Sequence, residues 1–405
     1  MEPTPIPLST SADSTDQADL EHILRLKQLF ATLPDPRVIG RVLHPLPEVL
    51  LVALCAMVSD CEDFTDMGHF AESQLAWLRQ FIPLHNGAPS HDVFRNVFLA
   101  LRPDALLEIM ELWVGELDGK QVTIDGKVSR GAKDSATGRS SLHILRAWVS
   151  EASLSVCHEV CAEKSNELEA LPRLLAKLQL HGAIVTMDAM GGHPDVARLL
   201  QDAGADYILA LKANEKSAHQ AVAAHFDTLR PAAAEIHAQG SWAAGCEMST
   251  TCEQNRGRYE RREVVVVRDL SWWPHSWNWP GLQSVICVRR ETMRQRHDAE
   301  SPSVELHYYL SSLTAAAAVL ALLIRNHWSV ENQCHHVLDV TYREDHCQVR
   351  DKAAAHNLTL MRELSTKVLK TSAVKGSIRS KRKRCALDPA FRTRVTHSIF
   401  HGFGA

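Results

Sequence analysis

The stretch Arg325-Asn326-His327-Trp328-Ser329-Val330-Glu331-Asn332 lies late in the chain, inside a long segment with the composition of a helix. Its glutamate gains meaning from two aspartates far upstream, Asp125 and Asp188, each of which ends an apolar run. Short apolar runs are typical of buried strands, and a side chain at the end of such a strand points into the crevice beyond the sheet edge. The carboxylates of Asp125, Asp188 and Glu331 are therefore predicted to form one divalent-metal site.

The bulk composition is that of a soluble globular protein. The chain has 405 residues, of which 45% are hydrophobic and 23% charged, and this length allows two or three domains. The formal net charge of −4 means that any surface for nucleic acid must be a local one. Ten cysteines without a regular spacing predict reduced thiols in a cytoplasmic protein, and the sequence indicates neither a signal peptide nor a membrane span.

The N-terminal quarter predicts helices alone. Residues 1–19 are rich in proline, serine and aspartate and are predicted to be disordered. Residues 20–118 contain five segments with helical apolar spacing, separated by proline-containing stops. Two interpretations of this helical domain remain open, because apolar stripes report only a core: a DNA-recognition unit, or a scaffold that contacts no bases.

From residue 119 onward the pattern changes to short β-rich segments, first three in succession and then alternating with helices. This order predicts an α/β catalytic domain over 119–212 and 311–370, with a mixed sheet flanked by helices. Residues 213–310 interrupt it with a helix and three further strands, which predicts a mainly β insertion. Its tryptophans between 272 and 279 either fill a small core or stack on unpaired bases.

Two basic segments could contact phosphates. Residues 254–262 combine arginines, including Arg256 and Arg258, with a glycine, which fits either phosphate contact or a solvated hairpin turn. The C-terminal segment 371–405 is predicted to be a basic tail, since residues 375–384 contain six basic side chains and no acidic one. Such a tail either attracts polyanions or is disordered and only promotes solubility.

The chemistry suggested by three distant carboxylates is phosphodiester cleavage and joining. That reaction uses two hard cations about 3.5–4 Å apart, one at the attacking oxygen and one at the leaving oxygen. Mg²⁺ takes a few carboxylate oxygens and keeps other positions for water and phosphate. Lys127, Arg130 and Lys133 follow Asp125 closely and could supply positive charge for a phosphate backbone.

Five motifs, in order along the chain, resemble the bacterial insertion-sequence transposases of the ISAs type, also called H-repeat-associated proteins. They are Asp125-Gly126-Lys127, Thr186-Met187-Asp188-Ala189-Met190, residues 204–214, His327-Trp328-Ser329-Val330-Glu331-Asn332, and Leu338-Asp339-Val340 with Glu344-Asp345. Asp35-Pro36-Arg37 and residues 89–95 resemble the helical domain that precedes the catalytic domain in this family. The similarity extends from about residue 30 to about residue 365.

The resemblance implies an RNase H-like catalytic domain whose catalytic and metal-binding triad is Asp125, Asp188 and Glu331. It also implies two Mg²⁺ or Mn²⁺ ions, cleavage at the element ends, transfer of the freed 3′-hydroxyl to target DNA, and a homodimer on DNA. The expected DNA contacts are Lys127, Arg130, Lys133, Lys212, Arg256, Arg258, Arg325 and His327. The resemblance implies, for the wider group of such transposases, a Tyr-x-x-Arg-x-x-x-Glu motif with a Lys seven residues after the glutamate. This chain has Ile324, His327 and Leu338 at the positions of that Tyr, Arg and Lys.

Two other functions remain open at this stage. One is an inactive, transposase-derived DNA-binding regulator, and the other is an RNase H-like nuclease that cuts without strand transfer. The three carboxylates are all present, which favours an active enzyme. Metal-dependent cleavage would distinguish the enzyme from the regulator, and joining of a 3′-end to target DNA would distinguish the transposase from the nuclease. The expected location is cytoplasmic, on the nucleoid when the enzyme is active.

Overall fold

The computed structural model of the protein describes residues 26–400, apart from 39, 41, 130–141, 162–166, 231–241, 243–245, 256 and 295–302. Its first part is helical, as the apolar spacing predicts. After a helical segment over residues 26–32, the helices are α1 Leu46–Val58, α2 Phe64–Ser73, α3 Leu75–Leu78, α4 His91–Ala100 and α5 Pro103–Val114. One of the five predicted helical segments is divided into α2 and α3, because Gln74 leaves the helical conformation at φ −108° and ψ 14°.

The described residues form a nine-stranded mixed sheet. Its strands are β1 Gln121–Ser129, β2 Leu142–Val149, β3 Leu154–Cys161, β4 Ile184–Met187, β5 Asp206–Leu211, β6 Glu247–Asn255, β7 Arg258–Val267, β8 Ser284–Arg294 and β9 Ser303–Ser311. Their order is β3-β2-β1-β4-β5-β9-β8-β7-β6. Strands β1, β4 and β5 run parallel to one another, whereas β1, β2 and β3 form an antiparallel meander.

The predicted β insertion extends the catalytic sheet. Strand β9 pairs antiparallel with β5, and β8, β7 and β6 follow outward as a meander. The sequence does not predict strand β6, because most of its side chains are polar and exposed and show no apolar alternation. The tryptophans of this region mostly pack in the core, since Trp273 and Trp279 are each 3% exposed, although Trp277 is 77% exposed.

Helices cover the sheet and connect it to the N-terminal helices. They are α6 Glu167–Leu175, α7 Pro194–Asp202, α8 Lys216–Leu229, α9 Ala317–His327 and α10 Lys352–Thr371. Helix α9 packs Leu320, Leu323 and Ile324 on the apolar side chains of β5, β7 and β8. Helix α10 is almost wholly buried, and Asn357 donates hydrogen bonds to the carbonyl oxygens of Phe98 and Leu101.

Residues 378–400 of the C-terminal segment are almost entirely helical, which corrects the expectation of a basic tail. Two helices, α11 Ile378–Leu387 and α12 Pro389–Phe400, pack against α1 and α10. The buried side chains of this helix pair include Lys381, Arg382 and Arg392, so the sequence has no apolar stripe that would predict the two helices.

The predicted α/β class, with an RNase H-like mixed sheet flanked by helices, is confirmed. Strands β1, β4 and β5 are parallel and central, and helices pack on the sheet. Among the parts of the chain that the structure describes, every helix is too short or too polar to cross a membrane.

Candidate active site

The two aspartates lie side by side on neighbouring parallel strands. Ile124 of β1 is in register with Met187 of β4, so Asp125 and Asp188 are the next residues along each strand. Asp188 lies just beyond the end of β4, and its Oδ1 accepts a hydrogen bond of 3.0 Å from the amide of Met190. Strand β1 continues past Asp125 and there pairs only with β2. The predicted juxtaposition of the two carboxylates therefore follows from the sheet.

Glu331 approaches the aspartates from a distorted helix. Beyond α9 the chain continues through two wide π-helical segments, Glu331–His335 and Val337–Thr341. The side chains of Asp125, Asp188 and Glu331 line one cavity of about 290 Å³, together with those of Lys212 and His327. The structure thus brings together the three carboxylates that the sequence singles out.

Buried basic groups surround Asp125 on the protein side. His335 Nδ1 lies 3.5 Å from Asp125 Oδ2. Arg146 is the cross-strand partner of Asp125 on β2, and it donates hydrogen bonds of 2.9 Å to Glu363 Oε1 and 2.8 Å to Cys334 Sγ. Burial lowers the pKa of His335 to about 2, so this ring is neutral at neutral pH and does not balance the carboxylate charge.

The carboxylates carry more negative charge than the neighbouring cations balance. Burial, and after it the negative charges of Asp188 and Glu331, raise the pKa of Asp125 to about 7 against the opposing effect of Arg146. Like charges held together in this way bind protons or cations. The electrostatics of this cavity therefore favour the binding of a proton or a cation.

The donor set fits hard cations, although it is not a closed cage. Within the described ranges, no three His, Cys, Asp or Glu side chains lie close enough to hold one metal ion by themselves. Mg²⁺ commonly binds through one or two carboxylates and fills its other positions with water and substrate phosphate. Three carboxylates on one open cavity provide oxygen donors of that kind and leave room for phosphate.

Asparagine in place of Asp125 is expected to stabilise the metal-free protein, and more so at higher pH. The folded state holds the Asp125 proton more tightly than the unfolded state, so stability falls as pH rises from 3.8 to about 7. About three pKa units correspond to roughly 4 kcal/mol at ~1.36 kcal/mol per unit, so we expect a gain of about 2–4 kcal/mol at pH 8. Urea denaturation in EDTA measures it.

The control for this measurement is Asp202→Asn, which changes an exposed carboxylate on α7. It should alter the free energy of unfolding by less than about 0.5 kcal/mol at any pH. The gain for Asp125→Asn should shrink at pH 5, where the native carboxyl group is already protonated. Equal gains at pH 5 and pH 8 would contradict the raised pKa.

His327 and Lys212 lie where a phosphate could reach them. Both side chains line the cavity of the carboxylates. His327 Nδ1 is 3.1 Å from the hydroxyl oxygen of Thr186, and burial lowers the pKa of His327 to about 4. At neutral pH His327 is therefore a hydrogen-bonding group, and the positive charge at this wall comes from Lys212.

Lys127 does not lie where it could contact a phosphate, although the sequence predicts that contact. Only 8% of Lys127 is exposed, and its Nζ lies 2.7 Å from Asp339 Oδ1 and 2.8 Å from Glu344 Oε2. Side chains two residues apart on a strand share one face, so Lys127 lies beside Asp125 but contacts the segment that follows Glu331. This corrects the expectation, because a buried ammonium with two carboxylate partners is not available to DNA.

The remaining expected DNA contacts divide into two groups. Arg325 and Arg258 line a neighbouring cavity of about 730 Å³, where Arg325 pairs with Glu253 at 2.6 Å and Arg258 with Glu260 at 3.3 Å. The other predicted contacts, Arg130, Lys133 and Arg256, lie outside the described residues. The segment around Arg258 forms the turn between β6 and β7, as its hairpin interpretation predicts.

Comparison with known families decides the family of this chain. The family model described as "Transposase DDE domain" matches residues 111–365, which include all three carboxylates. The chain belongs to the DDE transposases. A second model, described as DDE_Tnp_1-associated, matches residues 27–114, the helical part that precedes the catalytic domain of this transposase.

Individual relatives support the same family. The chain is 31% identical over 378 residues to the "H repeat-associated putative transposase YhhI" of Escherichia coli (strain K12), covering 92% of this chain and 97% of that one. It is 36% identical over 299 residues to an uncharacterized protein in the dhlA 3′ region of Xanthobacter autotrophicus, covering 71% and 95% respectively. The ISAs-type, H-repeat-associated resemblance is thereby confirmed.

Among solved structures, the chain also aligns with the piggyBac transposase synaptic complex with hairpin DNA. The TM-score is 0.40 at 10% sequence identity, and the alignment covers 97% of this chain and 85% of that chain.

Proposed function

We propose that this DDE transposase is active and that it catalyses metal-dependent cleavage at the ends of an insertion sequence, followed by strand transfer to target DNA. The observation that carries the proposal is the convergence of Asp125, Asp188 and Glu331, from two strands and a distorted helix, on one cavity. The raised pKa of Asp125 supports it, because burial and the neighbouring charge of Asp188 disfavour the ionised carboxyl group more than Arg146 stabilises it, and a bound cation would offset that effect.

The reaction consists of two displacements at phosphorus. In the first, a water oxygen bonds to phosphorus as the bond to the 3′ oxygen breaks, which frees a 3′-hydroxyl. In the second, that hydroxyl bonds to a target phosphorus as a target phosphodiester bond breaks, so one bond forms for each that is lost. Bound divalent ions would activate the attacking oxygen and stabilise the leaving oxygen.

The residues of the chain have separate parts in this scheme. Asp125, Asp188 and Glu331 would hold Mg²⁺ or Mn²⁺ through their carboxylate oxygens. Lys212 would attract a phosphate, and the neutral His327, held against Thr186, would hydrogen-bond to it. Arg146 and His335 contact the site from the protein side and position Asp125 and the Glu331 segment. Element-end and target DNA, a homodimer and a cytoplasmic location belong to the same proposal.

The test is an assay with the full-length protein, a DNA fragment carrying the flanking ends of its own element, and a supercoiled target plasmid. We expect cleavage at the ends and joined products with Mg²⁺ or Mn²⁺, and neither product with EDTA. Cleavage without joining would favour the nuclease without strand transfer. End-specific binding with no cleavage in any metal would favour the DNA-binding regulator and overturn the proposal.

A further inference from the structure

The helix pair α11–α12 divides its basic side chains into an inward and an outward set. Neither helix contains an acidic residue. Lys381, Arg382 and Arg392 are buried, whereas a second set is exposed: Lys375 just before α11, Arg379, Lys383 and Arg384 on it, and Arg394 on α12. The basic run of this segment is thus partly structural, and its remaining charge faces solvent.

The inward cations hold the pair firmly on the protein. Lys381 Nζ donates hydrogen bonds to the carbonyl oxygens of Leu369 and Ser372, at the end of α10. Arg392 donates one to the carbonyl oxygen of Cys385 and another to the side chain of Gln74. The outward cations therefore project from helices whose position is fixed, which lowers the entropic cost of holding a partner.

The arginines of the extended sheet differ from the outward set, because glutamates neutralise them. Arg261 pairs with Glu263, Arg289 pairs with Glu263 and Glu291, and Arg290 pairs with Glu305. Strands β7 and β8 thus carry alternating charges that balance one another across the sheet. A phosphate backbone would have to displace these carboxylates before it could contact the arginines.

The outward set has no such compensation. Among the described residues, no carboxylate forms an ion pair with Lys375, Arg379 or Lys383. Arg384 and Arg394 lie over the ring of Phe391, at 3.9 Å and 5.5 Å from its centroid, and a ring does not neutralise their charge. In a chain with a net charge of −4, this is a concentrated and uncompensated positive surface.

We propose that the outward face of α11–α12 is a binding surface for the phosphate backbone of duplex DNA, separate from the catalytic cavity. Phosphate contacts position a protein on a duplex without reading its sequence, and uncompensated Lys and Arg side chains supply them. The surface is tied to the catalytic segment, because Ile378 packs against the apolar cluster that contains Val330 and Cys334. Its place in the reaction rests on the proposed function.

The test measures how the affinity for a short, random-sequence DNA duplex depends on salt. The variant Lys375→Gln/Arg379→Gln/Lys383→Gln should bind more weakly. The negative slope of log K against log salt should become shallower by about 2–3, at roughly 0.9 per lost phosphate contact. The charge-conserving variant Lys375→Arg/Arg379→Lys/Lys383→Arg should keep the native slope. It separates a charge effect from a packing effect.

The matched control removes three exposed arginines that already have carboxylate partners, as Arg173→Gln/Arg230→Gln/Arg268→Gln. Its slope should stay native, because these charges are neutralised in the free protein. An unchanged slope in the α11–α12 variant, or an equal loss in the control, would overturn the proposal. So would tighter binding to anionic phosphatidylglycerol vesicles than to the duplex.

Failure of this surface and failure of the proposed function give different results. Random-sequence duplex is used, so the salt slope does not depend on cleavage or on end recognition. A slope loss in a protein that never cleaves DNA would support the surface and contradict the active enzyme. Normal cleavage with an unchanged slope would support the enzyme and overturn the surface.

Discussion

Glutamine in place of Glu331 is expected to lower the rate of DNA cleavage by about 10³-fold or more, with little change in DNA affinity. Glutamine keeps the shape of the side chain and one oxygen donor but removes the negative charge that a hard cation requires. Metal-assisted charge stabilisation contributes several kcal/mol, and each ~1.36 kcal/mol is a factor of ten in rate. Single-turnover cleavage of an end-containing fragment, with enzyme in excess, measures the chemical step.

The matched control for this change is Glu116→Gln, because Glu116 is an exposed glutamate outside the cavity. Its cleavage rate should equal that of the native protein. A second readout does not depend on activity: Glu331 is one of the charges that raise the pKa of Asp125, so its loss should lower that pKa. The stability of metal-free Glu331→Gln should therefore fall less between pH 5 and pH 8. A Glu331→Gln variant that cleaves at the native rate would contradict the assignment of Glu331 as a catalytic residue.

The two aspartates could be found from the sequence because buried parallel strands have a simple signature. Residues 122–124 of β1 and 185–187 of β4 are buried and mainly apolar, so a carboxylate that directly follows each of these short runs stands out. The parallel register then brings Asp125 and Asp188 together without further information. Strand β6 has no such signature, because its polar side chains lie at an exposed edge of the sheet.

The surroundings of Glu331 could not be derived from helical spacing. A regular helix places residues 327, 331 and 335 on one face, but here Glu331 begins a π-helical segment. Trp328 and Val330 also line the cavity, together with His327 and Glu331. The ion-pair partners of Lys127 could not be predicted from the sequence either. The sequence shows the charge of Lys127 but not which distant carboxylates neutralise it, and in the structure these are Asp339 and Glu344.

The C-terminal helices were hidden for a related physical reason. A search for helices looks for an apolar stripe, whereas three buried positions of α11–α12 hold Lys381, Arg382 and Arg392. Long basic side chains can be buried when their charged ends find carbonyl oxygens or aromatic rings. Such partners come from elements far away in the sequence, so a basic run on its own cannot distinguish a folded helix from a disordered tail.

Methionine in place of Arg382 is expected to destabilise the protein by about 3–5 kcal/mol, because it removes a buried cation that pairs with Asp60 at 3.2 Å and donates hydrogen bonds to three carbonyl oxygens. Arg382 is fully buried, and it donates hydrogen bonds of 2.9, 2.6 and 3.0 Å to the carbonyl oxygens of Met57, Thr341 and Cys61. Methionine would leave these acceptors without a donor, at about 1–3 kcal/mol for each buried group that stays unsatisfied. Urea denaturation measures the loss.

The control for Arg382→Met is a substitution of the next residue in the same helix. Lys383→Met removes the same charge from an exposed position and should change the free energy of unfolding by less than about 0.5 kcal/mol. Equal losses in the two variants would mean that charge on α11, and not the buried contacts of Arg382, stabilises the fold.

Lysine in place of Arg382 should recover only part of the lost stability. The three acceptors lie in two parts of the chain: Met57 in the last turn of α1 with Cys61 just beyond that helix, and Thr341 at the end of the segment that begins with Glu331. A planar guanidinium can donate to all three in fixed directions, whereas one ammonium cannot reach carbonyls so far apart. Loss of Arg382 should therefore also loosen the Glu331 segment from α1, so Arg382→Lys should lose cleavage activity at temperatures where it remains folded.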